Sequence, residues 1–281
     1  MSFDFFTLGG RSNWEDIFFY QKWRIQRHID AKTYRLLDPW DISRAEGSFE
    51  YCRKEFVKFI EVYEISRQNK HMIIMLHGLG GTKKIFRPLW REALNRGFLA
   101  AALNFPSTKK SIDSHVRQFD FFLNHLEDVT EVSFVVKGAS CLILRKLFSM
   151  PSPWQKRIKI RRVLFVNPIN SGSDIISWLS KNRLIRWFLG PIATEISNQK
   201  AILIPRMPSD IEQGTIFCDS IFKKIGRFFT KPFESILIAD ESTEEGYVVK
   251  SVYINHYIGN VFDNKEVVSK AMMFLQNGKF K

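Results

Sequence analysis

The fold is best predicted from one stretch in the middle of the chain, Phe134-Val135-Val136-Lys137-Gly138-Ala139-Ser140-Cys141. Three apolar residues precede a lysine and a glycine, and two small residues then lead into an apolar run with helical spacing. A buried strand that turns sharply into a helix is the repeating unit of a parallel sheet covered by helices. The stretch therefore predicts an α/β protein.

The same alternation of strands and helices extends from about residue 70 to the end of the chain. The predicted strands are 72–76, 98–103, 132–136, 162–166, 214–218, 236–239 and 250–254, and the predicted helices end near 94, cover 112–127, begin at 139 and cover 265–275. This order predicts a mostly parallel central sheet with helices on both faces over residues 70–281. Residues 170–212 interrupt the alternation and predict a cap insertion over the carboxyl edge of the sheet, where ligands bind in such folds.

The first 69 residues are predicted to be a helical N-terminal extension packed on the core. Large apolar residues recur near helical spacing at Trp14, Ile17, Phe18, Trp23, Ile25 and Ile29. A second segment from Phe49 to Ile65 continues this pattern after a break at Asp38-Pro39. We therefore expect two or more helices over residues 13–67.

Composition places the chain among globular proteins and limits its partners. Its 281 residues are 45% hydrophobic and include 26 Phe, which argues against disorder. The three cysteines, Cys52, Cys141 and Cys218, form no CxxC pair, so neither a zinc site nor a disulfide framework is indicated. We expect no cofactor, no metal and reduced thiols, as in a cytoplasmic protein.

The charge of the chain favours anionic surfaces. The formal net charge is +13, which attracts lipid head groups or nucleic acid, although a solvated basic surface is the alternative. No nucleic-acid-binding motif accompanies the charge, so we expect no nucleic-acid partner. The N-terminus lacks a signal-peptide pattern, and no stretch reaches the roughly 18 apolar residues of a membrane span. A peripheral association with an anionic membrane remains open.

Six motifs occur in the order typical of one enzyme family, and the chain resembles the lipase- and esterase-type members of the α/β-hydrolase fold, bacterial hydrolases with an HGLG loop. The motifs are His77-Gly78-Leu79-Gly80, Asn104-Phe105-Pro106-Ser107-Thr108, the stretch from Ser133 to Cys141, Asn167-Pro168-Ile169-Asn170-Ser171-Gly172, Trp187-Phe188-Leu189-Gly190-Pro191, and His256 before Phe274-Leu275-Gln276-Asn277-Gly278-Lys279-Phe280. The resemblance covers roughly residues 70–281.

The nucleophile of that family is missing from its expected position. The family's strand-to-helix turn has the pattern G-x-S-x-G, which lifts the serine above the sheet. Here Gly138 takes the serine position and Ser140 takes the position of the closing glycine. Ser140 lies two residues further on, about 200° around the helix, and Cys141 has the same difficulty as a substitute. The resemblance thus implies a degenerate nucleophile turn.

The remaining catalytic residues are assigned from the resemblance alone. His256 lies after the last predicted strand, where the family has its general base. The acid is Glu234, which an ungapped match places at the family's acidic position, or Asp240 six residues later. Either carboxylate could instead be a solvated surface group, and the other five histidines are interpreted as structural.

The resemblance also places an oxyanion hole, which is built from backbone N–H groups and so survives the loss of a side chain. Its donors would be Leu79 in the HGLG loop and Ala139 after the turn. His77 and Gly78 would shape that loop. A helix N-terminus at this point favours an anionic ligand.

Three functions follow as hypotheses. The first is a lipase-like protein without its serine, a pseudoenzyme that keeps a pocket for a small-molecule or lipidic ester or acyl ligand. The second is an active esterase that uses Ser140 with His256. The third is a basic peripheral membrane module, based on the stretches 156–162 and 223–227 beside the aromatic residues of the cap, which could instead be packed on the body.

Overall fold

A computed structural model describes residues 13–168, 190–196, 203–218, 250–254 and 259–281. The strands are β1 (Trp14–Tyr20), β2 (Trp23–His28), β3 (Tyr34–Leu37), β4 (Ser43–Gly47), β5 (His71–Leu76), β6 (Leu99–Leu103), β7 (Glu131–Lys137), β8 (Lys159–Val166), β9 (Glu212–Cys218) and β10 (Lys250–Ile254). The longer helices are α1 (Phe49–Val62), α2 (Arg87–Asn95), α3 (Ile112–Asn124), α4 (Ser140–Ser149) and α5 (Lys265–Asn277).

Six of these strands form the predicted parallel sheet, in the order β10-β9-β8-β7-β5-β6. Strand β5 lies between β7 and β6, and its alternate residues face opposite sides of the sheet, as the strand period of two requires. Met72, Ile74 and Leu76 pack in one hydrophobic cluster with α3 and α4. Ile73 and Met75 pack in a second cluster with α2 and α5. The expected α/β architecture, a mostly parallel sheet with helices on both faces, is confirmed.

The N-terminal segment differs from the prediction. Residues 14–47 form a four-stranded antiparallel sheet in the order β1-β2-β3-β4, so the helical prediction for this part is wrong, whereas the helix predicted from Phe49 is present as α1. Strand β1 is buried at every position from Glu15 to Tyr20. Because both faces of the strand are covered, its apolar residues do not alternate, and their spacing imitates a helix.

The turn between β1 and β2 also carries no sequence signal. Gln21 and Lys22 have φ of 47° and 73°, and Tyr20 pairs with Trp23 across the two-residue loop. Two left-handed residues in a hairpin loop normally call for Asn-Gly or Asp-Gly. Gln-Lys is an unusual choice, so the reversal of the chain was not predictable at this point.

The N-terminal sheet is bound to the edge strand β6 of the parallel sheet. The backbone N–H of Asp16 donates to Asn104 O at 2.9 Å, and the backbone N–H of Asn104 donates to the Asp16 carboxylate at 2.6 Å. Phe19 belongs to the same hydrophobic cluster as α3 and α4. The extension is therefore packed on the core, as expected, although it is a sheet with one helix.

Parts of the predicted cap and one predicted strand lie outside the described residues. Of residues 170–212, the structure describes a helical turn at 190–196 and the segment from 203 onward. Ile192 and Ile196 are buried against the α3/α4 face, and the Arg145 guanidinium donates to the carbonyls of Ile204 and Pro205 at 2.8 and 2.9 Å. These described parts are packed on the body. The strand predicted at 236–239 is not among the described residues.

Candidate active site

The turn between β7 and α4 is a sharp left-handed turn with no side chain at its apex. Gly138 has a φ of 57°, which lies in the left-handed region, and α4 begins two residues later at Ser140. The Gly138 N–H donates to Val166 O at 3.1 Å, which ties the turn to the end of the neighbouring strand β8. A sharp left-handed turn of this kind is where the serine of a hydrolase elbow stands.

The HGLG loop lies directly against this turn. A Cβ on Gly78 would come within 3.2 Å of the Lys137 carbonyl oxygen, which is tighter than normal packing. A Cβ on Gly138 would lie 3.8 Å from the Cα of Gly78, at ordinary contact distance. The structure thus brings together two segments separated by about 60 residues in the sequence, since β5 and β7 are paired neighbours in the sheet.

The loop residue His77 is buried and structural. Its ring stacks on Phe105 with the ring centroids 4.1 Å apart, and its Nδ1 lies 2.9 Å from Gly78 O. Burial lowers the pKa of His77 to about 4, so the ring is neutral near pH 7. Its Nε2 has no hydrogen-bond partner among the described residues. A fully buried neutral ring is suited to shaping the loop, as the resemblance implies.

Ser107, which the sequence analysis did not assign to the site, braces the same loop. Its hydroxyl oxygen accepts the Gly80 N–H at 3.0 Å, and its hydroxyl lies 3.5 Å from Gly78 O. The residue belongs to the Asn-Phe-Pro-Ser-Thr motif that follows β6, as does Phe105. The occurrence of this motif and the HGLG motif in the same chain was the sequence signal from which their contact could have been predicted.

Two backbone donors are available beside the apex. Among the described residues, no acceptor takes the N–H of Leu79 or the N–H of Ala139. Ala139 is the residue that precedes α4, so its N–H belongs to the positive end of that helix. An oxyanion hole needs backbone N–H groups without another acceptor, and these two residues supply such groups; the hole itself stays a prediction.

Ser140 is held away from the role of a nucleophile. Its side chain is buried, and its hydroxyl donates a short hydrogen bond to the carbonyl oxygen of His77. The hydroxyl proton is therefore bonded to the loop backbone, and no general base among the described residues accepts it. Cys141 is also fully buried, within the α3/α4 cluster.

Lys137 adds a cation at the carboxyl edge of the sheet. It is half-buried, and burial lowers its pKa while the neighbouring Cys218 thiol, at the end of β9, acts in the opposite direction. A cation next to a helix N-terminus favours an anionic group at this position. The described part of the site is thus electrostatically suited to an anion, although it lacks an attacking atom.

The predicted base and acid lie outside the described residues. These are His256, Glu234 and the alternative acid Asp240, so their assignment stays a prediction. The basic stretch 223–227 also lies outside. No group of three or more metal-ligating side chains occurs in the described ranges, and no helix within them combines the length and apolar character needed to cross a membrane.

The other basic stretch, Lys156–Arg162, is partly used in structural contacts. Arg157 donates to the carbonyls of Leu123, Asn124 and Leu126 near the end of α3 at 2.7–2.8 Å. Arg162 pairs with Glu212 at 2.6 Å and also donates to two carbonyls at the end of α5. Arginines at helix C-termini satisfy carbonyls that have no helical partner. These two side chains are therefore committed to the fold.

Comparison with known proteins finds similarity at the level of structure alone. No protein-family model matches the chain, and no curated protein matches it. Among solved structures, the chain is similar to the monoacylglycerol lipase of Paleococcus ferrophilus (11% identity, TM-score 0.47, 73% of this chain and 91% of that one). It is also similar to an epoxide hydrolase of Bacillus megaterium (13%, 0.46, 76% and 96%) and to tomato methylketone synthase I complexed with 2-tridecanone (11%, 0.40, 66% and 89%).

Proposed function

We propose that this chain is a carboxylester hydrolase or lipase that has lost its serine nucleophile and retained a site for an ester or acyl ligand. One observation carries the proposal: the apex of the β7–α4 turn has the left-handed backbone of a nucleophile position, and the residue there is Gly138. Loss of a triad nucleophile removes on the order of a millionfold in turnover. We therefore expect the protein to be catalytically impaired.

The retained ligand site follows from the donors that remain. The N–H groups of Leu79 and Ala139, the N-terminus of α4 and the Lys137 ammonium would bind an anionic oxygen. In an active relative this oxygen belongs to the reacting carbonyl. Without an attacking atom, the same donors would bind the carboxylate of a free fatty acid or the carbonyl of an intact ester.

Restoring the nucleophile tests the proposal. Hydrolysis of p-nitrophenyl esters of short and long acyl chains should be measured for the natural chain, Gly138→Ser and Gly138→Ala. A Cβ fits at this position, so both variants should fold. Gly138→Ala has the same backbone strain without a hydroxyl and is the matched control. We expect Gly138→Ser to exceed Gly138→Ala by about a hundredfold or more.

The same assay identifies the base and the acid. In the Gly138→Ser background, His256→Ala should abolish the gained activity. Of Glu234→Gln and Asp240→Asn, we expect the first to remove most of it, because Glu234 is the better match to the family's acidic position. Activity that survives His256→Ala would contradict the assigned triad.

The alternative, an active esterase that uses Ser140 with His256, makes the opposite prediction. The natural chain would then hydrolyse esters, react with a fluorophosphonate probe, and lose both properties in Ser140→Ala. The hydrogen bond from Ser140 to His77 O argues against this outcome. A covalent fluorophosphonate adduct on the natural chain would reject the proposed impairment.

A further inference from the structure

A basic pocket lies between the N-terminal sheet and the hydrolase domain, on the side of β6 and α2. Its volume is about 530 Å³, which is within the range of small-molecule sites. Five cationic side chains and one carboxylate line it: Lys22, Arg24, Lys83, Lys84, Arg87 and Asp41. None of the elbow or HGLG-loop residues is among its lining residues, so the pocket is separate from the candidate active site.

The carboxylate does not balance these cations. Asp41 is shared between Arg24, which contacts it directly, and Lys83, whose Nζ lies 3.4 Å from both carboxylate oxygens. Arg24 is additionally 3.5 Å from the buried Asp16. Within the described residues, Lys22, Lys84 and Arg87 take part in no ion pair. Three further cations thus surround a pocket whose only carboxylate is already shared.

Lys83, the most buried of the lysines in the pocket, shows how strongly the pocket favours an anion. Lys83 is mostly buried, and burial together with the nearby Arg24 lowers its pKa to about 7. A lysine in such surroundings is stabilised when an anion is placed beside it, because the anion opposes both effects. Arg and Lys recognise phosphate groups through charge-assisted hydrogen bonds. A ligand with a multiply charged phosphate therefore suits a cluster of five cations better than a ligand with a single carboxylate.

The remaining wall of the pocket is apolar. Phe19, Trp90 and the three residues Ala100, Ala101 and Ala102 line it, and the Lys22 ammonium lies 5.8 Å from the centre of the Trp90 ring. This wall would contact an apolar or planar part of a ligand. We propose that the pocket binds a phosphate-bearing ligand, with the phosphate among Lys83, Lys84 and Arg87 and an organic portion against Trp90 and the alanines.

Two kinds of ligand carry such a phosphate, namely a soluble phosphate ester and a phospholipid head group. Trp40 is 70% exposed and stands between Pro39 and Asp41, both of which line the pocket. An exposed tryptophan beside lysines is a feature that membrane interfaces also select. The chemistry recognised is the same in both cases, so the experiment has one arm for each source.

The test uses the full chain and two charge-matched double variants. Lys84→Ala with Arg87→Ala removes two exposed cations of the pocket, and Lys156→Ala with Lys159→Ala removes two exposed cations elsewhere. Binding of inorganic phosphate and phenyl phosphate should be measured by titration calorimetry, and binding to phosphatidylglycerol and phosphatidylcholine vesicles by co-sedimentation. Circular dichroism checks that both variants are folded.

We expect saturable binding of phenyl phosphate, weakened about tenfold or more in the pocket variant and unchanged in the control variant. If only phosphatidylglycerol vesicles bind, and only the pocket variant loses this binding, the phosphate belongs to a lipid head group and the proposal stands. Equal weakening in both double variants would show a general effect of net charge and overturn it, as would the absence of binding to every probe. None of these outcomes depends on whether the chain has lost a serine nucleophile.

Discussion

At the residue scale, the decisive position is Gly138, because its conformation and its lack of a side chain have opposite implications. The left-handed φ of 57° is what a hydrolase elbow imposes on its serine at some cost in strain. A glycine adopts the same conformation without that cost. Glycine is therefore the residue that adopts this turn with the smallest loss of stability.

This reasoning predicts the effect of adding a Cβ. Gly138→Ala should lower the free energy of unfolding by about 1 kcal/mol, because the left-handed conformation is strained for an L-residue while the added Cβ meets its nearest atom at ordinary contact distance. Gly80→Ala is the matched control, since Gly80 has a φ of 68° and no atom within 4 Å of its Cβ position. Chemical denaturation should give similar losses for the two. A loss several kcal/mol larger at Gly138 would show that the apex is crowded and would weaken the use of Gly138→Ser as a test.

At the element scale, the contact between β1 and β6 decides how the N-terminal sheet is attached. Asp16 is fully buried, and its carboxylate accepts hydrogen bonds from the Asn104 backbone at 2.6 Å and from Gln26 at 2.7 Å. Gln118 of α3 donates to the Asp16 carbonyl oxygen at 2.9 Å. One residue thus connects the N-terminal sheet, the end of β6 and helix α3, which packs on the parallel sheet.

Removing that carboxylate should be strongly destabilising. We expect Asp16→Ala to lower the free energy of unfolding by about 3 kcal/mol, because it leaves buried donors without acceptors and Arg24 without one of its carboxylates. Asp30→Ala, in an exposed turn of the same sheet, should change stability by less than about 0.5 kcal/mol. Urea denaturation measures both. Equal effects of the two substitutions would mean that the contact between β1 and β6 contributes little to stability.

At the scale of the whole molecule, buried histidines couple stability to pH. Burial lowers the pKa of both His77 and His115 to about 4, whereas an unfolded histidine titrates near 6.5. Between these values the unfolded chain binds protons that the folded chain does not. The contribution of these two neutral rings to stability is therefore present above about pH 6.5 and is lost as the pH falls towards 4. His71, whose pKa burial also lowers, acts in the same direction.

The expected loss is large enough to measure. Lowering the pH from 7 to 5 should reduce the free energy of unfolding by about 2 kcal/mol for each of His77 and His115. His115→Gln should remove one of the two contributions, so its stability should depend less steeply on pH. Denaturation curves at several pH values provide the measurement. A stability that stays constant between pH 7 and pH 5 would contradict the neutral, buried state of these rings.

The parallel sheet and the position of the strand-to-helix turn at Gly138 were predictable from the sequence alone. Strands buried on both faces appear as short apolar runs, and the glycines after β5 and within the β7–α4 turn mark where the chain bends. These signals are local, so strands 72–76, 98–103 and 132–136 and helix 112–127 were predictable to within a few residues. The absence of a serine at position 138 is likewise a fact of the sequence.

Which segments of the chain contact one another could be read from the three-dimensional structure alone. The N-terminal hairpin turns at Gln21-Lys22 without the usual turn residues, so its strands depend on pairing and burial that no local pattern records. Three contacts join residues that are far apart in the chain. The Ser140 hydroxyl donates to His77 O, and the Ser107 hydroxyl accepts the Gly80 N–H of the HGLG loop. Lys22, Lys83 and Arg87 line one pocket. Such contacts follow from strand order and packing, which determine the spatial neighbours of a residue independently of its neighbours in sequence.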